Sequence, residues 1–357
     1  MSVYSDPAHS AGDYTTSTIP DATRVSRETA PLDAAPAGAV GAGEVLRPIN
    51  PTTDIVTVDA VTAGDRAVWT PIAEEAARAT RVLHPESLQL PRPRHRRVIT
   101  VANQKGGVGK TTSTVNLAAA LALHGLRVLV IDLDPQGNAS TALGVEHRSG
   151  TPSVYEVLIG ELSLADAAAV SSQSDKLYCV PATIDLAGAE IELVSMVARE
   201  SRLKEALSSE ALDEIQPDYV FIDCPPSLGL LTVNAMVAAK EVLIPIQCEY
   251  YALEGLGQLL RNIELVQAHL NPTLSVSTIL LTMYDGRTKL ADQVTSEVRG
   301  HFGDTVLRTV IPRSVKVSEA PGYGQTVLAY DPGSRGAMSY LDAAREIAEY
   351  GAEKGTE

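Results

Sequence analysis

Gln104-Lys105-Gly106-Gly107-Val108-Gly109-Lys110-Thr111-Thr112 is the run that decides how this chain folds. The apolar stretch Val98-Ile99-Thr100-Val101-Ala102 leads into it as a buried strand does. The segment 114–124, rich in Ala and Leu, leaves it at helical period and stops at Gly125. Strand, glycine loop and helix start, in that order, make a phosphate cradle, the P-loop. The glycines let backbone N–H groups turn inward to a phosphate, and the helix N-terminus adds partial positive charge. In such a loop Lys110 reaches the terminal phosphates and the Thr111 hydroxyl holds Mg2+. The run departs from G-x-x-x-x-G-K-[ST] at one place. Gln104 stands where the first glycine belongs, and an additional lysine, Lys105, follows it.

Around this loop the chain is 357 residues long, room for one large domain or two smaller ones. Aromatic residues are only 4% of it, so the core has to be built from Ala, Val, Leu and Ile. No segment has the 18 consecutive apolar residues of a membrane span, and the N-terminus has no secretory apolar region. The three cysteines, Cys179, Cys224 and Cys248, are far apart in apolar surroundings, which points to buried free thiols in a reducing compartment. The expectation is a cytoplasmic protein. A formal net charge of −15 argues against a general nucleic-acid coat, so any DNA contact must use a local basic patch on an acidic body.

Residues 1 to about 91 are rich in Ala, Pro, Thr, Ser and Asp and have no sustained period. Such a stretch cannot bury enough surface to offset its ordering entropy, and reads as mostly disordered apart from a short helical pattern over 73–83. Arg92, Arg94, Arg96 and Arg97 then form a basic flank, read as a solvated linker end. The division expected is a low-complexity extension over 1–97 and one domain over 98–357.

From Val98 onward apolar strands alternate with helical segments, the pattern of an α/β fold with a doubly wound, mostly parallel sheet. Strands are expected at 98–102, 127–132, 177–181, 218–223, 241–246, 278–283 and 306–311. Helices are expected around 154–170, 187–208, 228–239, 253–270, 289–301 and 336–350. Ligands in such sheets bind beyond the carboxyl ends of the strands. Two strands carry aspartate there: Ile131-Asp132-Leu133-Asp134-Pro135-Gln136-Gly137-Asn138 and Phe221-Ile222-Asp223-Cys224-Pro225-Pro226-Ser227. Asp223, ending an apolar strand, suits a Walker B role toward Mg2+. Asp134, in a Pro-Gln-Gly turn, is placed to orient an attacking water.

These three motifs together resemble the ParA/MinD group of P-loop ATPases. Residues 105–112 look like its deviant Walker A motif, 132–138 its Walker A′ and 221–226 its Walker B, and the likeness to chromosomal (Soj-like) partition ATPases covers essentially all of 98–350. The resemblance implies ATP and Mg2+ as cofactors and an ATP-dependent homodimer, with Lys105 crossing to the partner's phosphates. It implies nucleotide contacts along Lys105, Gly106, Gly107, Val108, Gly109, Lys110, Thr111 and Thr112, with Pro312 and Arg313 framing the adenine. Lys105, Lys110 and Asp134 are the implied catalytic residues, and Thr111, Asp132 and Asp223 the metal-side ones, Asp132 also supporting the switch around Asp134. It further implies nonspecific double-stranded DNA contacts from Arg287, Arg313 and Lys316, a ParB-type centromere-binding partner, and a place on the nucleoid. The acidic, glycine-broken end over 347–357 lacks the basic amphipathic helix of the membrane-docking relatives. The alternative is a ParA-like ATPase that positions some other cargo, such as a protein cluster or microcompartment.

Overall fold

The computed structural model describes residues 89–353, apart from 209–211, 213, 250 and 251. They belong to one compact unit. The disorder read for the extension up to residue 88, and the helix read at 73–83, lie outside the described residues.

Eight strands form one sheet: β1 (Arg97–Val101), β2 (Val128–Asp132), β3 (Ala169–Val170), β4 (Leu177–Val180), β5 (Tyr219–Asp223), β6 (Glu241–Gln247), β7 (Ser275–Tyr284) and β8 (Val306–Pro312). Their order is β3-β4-β2-β5-β1-β6-β7-β8, and every pairing is parallel except the antiparallel β3–β4 edge. The strand carrying the phosphate loop is therefore flanked by β5 and β6, near the middle of the sheet.

The central strands are apolar along their whole length because each one feeds two cores. In β2, Leu129 and Ile131 enter one core while Val128 and Val130 enter the other. In β5, Val220 and Ile222 face the first, and Tyr219 and Phe221 the second. This two-sided burial is what a parallel sheet requires. The helices are α1 (Lys110–Leu123), α2 (Asn138–Ala142), α3 (Val154–Ile159), α4 (Leu164–Ala167), α5 (Leu186–Val194) and α6 (Arg202–Ser208). They continue as α7 (Leu230–Ala238), α8 (Ala252–His269), α9 (Lys289–Phe302), α10 (Val315–Glu319), α11 (Val327–Tyr330) and α12 (Arg335–Glu353). Residues of α3, α5, α7 and α8 build the first core, and those of α1 and α12 the second.

Two expected helices are each broken in two. The pattern over 154–170 stops at Gly160, which adopts a left-handed conformation (φ 88°) at the end of α3. A side chain there would also meet the Arg202 guanidinium. After the short α4 the same stretch ends as β3, an edge strand of two residues. The pattern over 187–208 is interrupted between α5 and α6, where Ala198 has φ 53°.

The basic flank needs a correction. Arg97 is not a solvated linker residue but the first residue of β1, and it is buried. Its Nε and Nη2 donate to the Glu241 carboxylate at 2.8 and 2.7 Å, and its Nη1 to the Ile347 carbonyl at 2.6 Å. The guanidinium lies 5.4 Å from the centre of the Tyr219 ring. One side chain thus ties β1, β6 and α12 together at the edge of the sheet opposite the phosphate loop. Arg92 and Arg94 are exposed, as expected of a flank.

Candidate nucleotide site

The loop after β1 is shaped by backbone that only glycine adopts easily. Gly107 has φ 76° and Gly109 φ 90°, and Gly109 caps α1 without any side-chain hydrogen bond. The first turn of α1 carries no acidic residue. Its leading N–H groups are therefore left to an incoming anion, the arrangement a phosphate needs. The loop is held from outside. Thr282, at the end of β7, donates to the Val108 carbonyl at 2.8 Å, and Asn103 donates to the Pro245 carbonyl at 2.8 Å while accepting from Lys105 N.

Lys110 is buried, which pulls its ammonium pKa down, while Asp223 beside it pulls the value back up. Lys105 behaves differently. Its side chain is partly exposed, and its Nζ lies 3.0 Å from Glu249, beyond the end of β6. The two loop lysines are separated by environment: one is sunk in the cradle and the other stands at its rim.

Asp132 and Asp223 are direct neighbours across the parallel β2–β5 pair, and both are fully buried. Their hydrogen bonds set them apart. Both Asp132 oxygens are taken: one accepts from Asp134 N (3.2 Å), the other from Ser140 N (2.9 Å) and Ser140 Oγ (2.7 Å). Ser140 Oγ in turn accepts from Ala182 N (3.1 Å). Asp132 is thus tied into the turn that carries Asp134. Asp223 accepts from the Thr114 hydroxyl at 3.0 Å through Oδ1, and its buried Oδ2 has no hydrogen-bond partner. Burial raises both carboxyl pKa values, and for Asp223 the adjacent Asp132 raises it further, against the pull of Thr111, Thr114 and Lys110.

That orphaned oxygen beside Thr111 fits a divalent cation. Mg2+ takes few protein ligands, keeping waters and substrate phosphates for the rest of its shell. Among the described residues no group of three or more His, Cys, Asp or Glu side chains could hold a metal unaided. Of the three residues expected on the metal side, Asp223 alone keeps an unpartnered oxygen, next to Thr111, while both oxygens of Asp132 are taken up by the turn.

Asp134 is half-buried at the mouth, its Oδ1 accepting from Gln136 N at 3.0 Å. The turn closes on Gly137 (φ 63°), where a Cβ would sit 2.8 Å from His147 Nδ1 and 3.0 Å from the Ala182 carbonyl oxygen. Pro312 ends β8 opposite Tyr284, and Arg313 N donates to the Tyr284 carbonyl at 3.0 Å. Pro312 and Arg313 therefore lie beyond the Thr282 end of β7, to one side of the loop. Sequence reasoning did not single out Ser140, Thr114, Thr282 or Glu249. None sits in a motif, and a lone hydroxyl or carboxylate carries no sequence signal of a distant partner.

A family model described as an AAA domain matches residues 96–276. Among curated proteins, the Bacillus subtilis sporulation initiation inhibitor protein Soj is 54% identical over 255 residues, 71% of this chain and 99% of that one. The chain belongs to the ParA/MinD family of P-loop ATPases. Another relative of this family ATPase is the Caulobacter vibrioides chromosome partitioning protein ParA, 53% identical over 252 residues, 70% of this chain and 93% of its own length. Among solved structures, a Mycobacterium smegmatis cobyrinic acid a,c-diamide synthase with bound ATP analogue and magnesium superposes with a TM-score of 0.62. It is 39% identical, over 74% of this chain and 98% of the other.

The cations expected to touch DNA follow the ends of β7 and β8. Arg287 is exposed and forks onto Asp285 at 2.8 and 2.7 Å, and these bonds hold the Asp285 carboxyl down to about 2. Lys316 pairs with Glu319 at 3.2 Å and lies 5.4 Å from the centre of the Tyr330 ring. Arg313 is exposed near Asp285. The three cysteines are buried free thiols, as expected. No helix among the described residues is long and apolar enough to cross a membrane.

Proposed function

We propose that this ATPase partitions chromosomes or plasmids. In this reading Mg2+ and ATP favour a sandwich dimer that holds double-stranded DNA without sequence preference on the nucleoid. A ParB-type partner stimulates hydrolysis, and the ADP form lets go. The observation that carries the reading is Lys105. It is a second lysine on the phosphate loop, held at the rim by Glu249 instead of joining Lys110 in the cradle. Two triphosphates buried face to face need additional positive charge to offset their repulsion, and a rim lysine can supply it to the partner's site.

Within one chain, Lys110 and the Gly106–Thr112 backbone bind the phosphates, and Thr111 with Asp223 flanks the cation, which supplies charge neutralisation when bound. Asp134 orients the attacking water. Asp132 positions Asp134 through the hydrogen bonds of the turn, and Pro312 and Arg313 border the adenine. Arg287, Arg313 and Lys316 form the DNA patch. Arg287 must exchange Asp285 for a phosphate, and Lys316 must exchange Glu319. Binding built on such exchanges is weak per contact and falls steeply with salt.

The same site would serve an ATPase that positions a protein cluster or microcompartment. The partner, not the site, separates these readings, and the 54% and 53% identities to relatives named for sporulation control and chromosome partitioning favour the first. Those identities also exceed the 39% shared with the synthase. The test is cosedimentation with random-sequence duplex DNA at low salt. Retention is expected with Mg2+ and ATP, absent with ADP, and lost in Arg287→Glu. Equal retention in both nucleotides would refute the switch, and full retention of Arg287→Glu would refute the patch.

A further inference from the structure

The Asp134 turn is held from two sides. On the inner side Asp132 accepts from Asp134 N and from Ser140, and both Asp132 and Ser140 are buried. On the outer side stands His147, half-buried in the loop that follows α2. Its ring lies along the turn at Gly137: a Cβ on that glycine would meet Nδ1 at 2.8 Å and Cε1 at 3.0 Å. Its other nitrogen, Nε2, lies 2.9 Å from the Thr141 hydroxyl. That hydroxyl is 3.0 Å from the Gly137 carbonyl, which also accepts from Thr141 N at 2.9 Å. Gly137 N in turn closes the turn by donating to the Asp134 carbonyl at 2.9 Å.

The direction of this relay follows from its protons. A threonine hydroxyl has a single proton and a carbonyl only accepts, so Thr141 gives its proton to Gly137 and its lone pair is left for a proton on His147 Nε2. Bonds linked in this way strengthen one another. We propose that His147 is a positioning residue for ATP hydrolysis: through Thr141 it fixes the Gly137 end of the turn, and with it the placement of Asp134 against the attacking water. This rests on the reading of Asp134 as the residue that orients the water. Gly137 makes the contact matter. It is left-handed (φ 63°) and has no side chain of its own, so what packs around it decides where the turn sits. The imidazole is on one side of it and the Ala182 carbonyl on another. Without the ring, the turn opens onto the cleft of about 430 Å3 lined by Gly144, Val145, Glu146 and Arg148. A shift of about 1 Å in a group that orients a reacting atom costs up to about a hundredfold in rate. Among the described residues the phosphate loop makes no hydrogen bond to His147 or Thr141, so ATP affinity is separable from this effect.

The test compares His147→Leu, His147→Gln, Thr141→Val and the double variant His147→Leu/Thr141→Val in the full-length protein, by melting temperature, affinity for an ATP analogue and steady-state hydrolysis. Leucine fills the space of the ring without a donor, whereas glutamine brings an amide N–H close to the place of Nε2–H. His147→Leu is expected to lower kcat about tenfold, with KM for ATP within about twofold and Tm within about 2 °C. His147→Gln is expected to regain most of the loss. Thr141→Val is expected to match His147→Leu, and the double variant to be no slower than either, because the two side chains act as one relay. Native kcat in His147→Leu overturns the proposal, as does a glutamine variant no faster than the leucine one, or a double variant in which the losses multiply. A loss of kcat matched by an equal loss of ATP affinity assigns His147 to the fold of the site and overturns it too. Added to Asp134→Ala, His147→Leu is expected to bring no further slowing; a further tenfold loss there places its action elsewhere. Native turnover by Asp134→Ala defeats both this inference and the reading beneath it, while a slow Asp134→Ala beside a native-rate His147→Leu defeats this inference alone.

Discussion

Asp223→Asn separates what the site costs the fold from what it does for the nucleotide. In the ligand-free protein Asp223 is fully buried beside Asp132, and one of its oxygens has no partner. Burial and the neighbouring carboxylate raise its pKa above the ordinary 3.8. A carboxyl whose folded value is raised favours folding while protonated, below its unfolded pKa. That contribution is lost as pH rises from there through the folded value. The acid is therefore already somewhat disfavoured against the amide at pH 5, and more so by pH 8. An unsatisfied buried charge costs upwards of about 1–3 kcal/mol, and the amide leaves one buried donor of its own. The net gain from Asp223→Asn is about 1–2 kcal/mol, or roughly 2–8 °C in Tm for a domain of this size. The assay is thermal unfolding with and without Mg2+ and ATP at pH 5 and pH 8. The variant should melt above the native protein at pH 8 without ligand, with a narrower gap at pH 5. Saturating Mg2+ and ATP should raise the native protein's Tm more than the variant's. A variant that melts lower at both pH values without ligand would refute the electrostatic argument.

Gly137→Ala should slow hydrolysis by an order of magnitude or more with little effect on ATP affinity, because its methyl would press on His147 and the Ala182 carbonyl behind the Asp134 turn; steady-state kcat and KM report the split. Ser140→Ala removes the hydroxyl that holds Asp132 and should cost about 1–3 kcal/mol in urea unfolding, together with a lower kcat. Arg97→Met keeps the stem of the side chain but loses the Glu241 pair and the Ile347 carbonyl bond. It should destabilise the fold by about 2–4 kcal/mol and leave ATP affinity per folded molecule unchanged.

Most of this architecture can be read before any coordinates are seen, because each buried strand must be apolar on both faces to feed two cores. The seven longer strands appear as runs of Val, Ile and Leu for that reason. The edge strand β3 is two residues long and carries no run. Gly160 shows the break in one helical stretch, but Ala198, a left-handed alanine, has no counterpart in composition. Within the site, the motifs pick out the loop and both aspartates. What they leave open is which aspartate is saturated, since that depends on β2 and β5 being neighbours and on Ser140 reaching back from α2. Arg97 is the reverse case. Four arginines in six residues look solvated, and only the sheet order brings Glu241 beneath the last of them.

We propose that Asp134 acts on the attacking water only after the nucleotide is already held in this ATP-hydrolysing site. The direct measurement is ATP hydrolysis by the native protein and by Asp134→Ala at saturating Mg2+ and ATP, with bound nucleotide and molecular mass followed in the same samples. Asp134→Ala should bind ATP, persist as an ATP-bound dimer and turn over at least about a hundredfold more slowly than the native protein. Hydrolysis by Asp134→Ala at the native rate would contradict it.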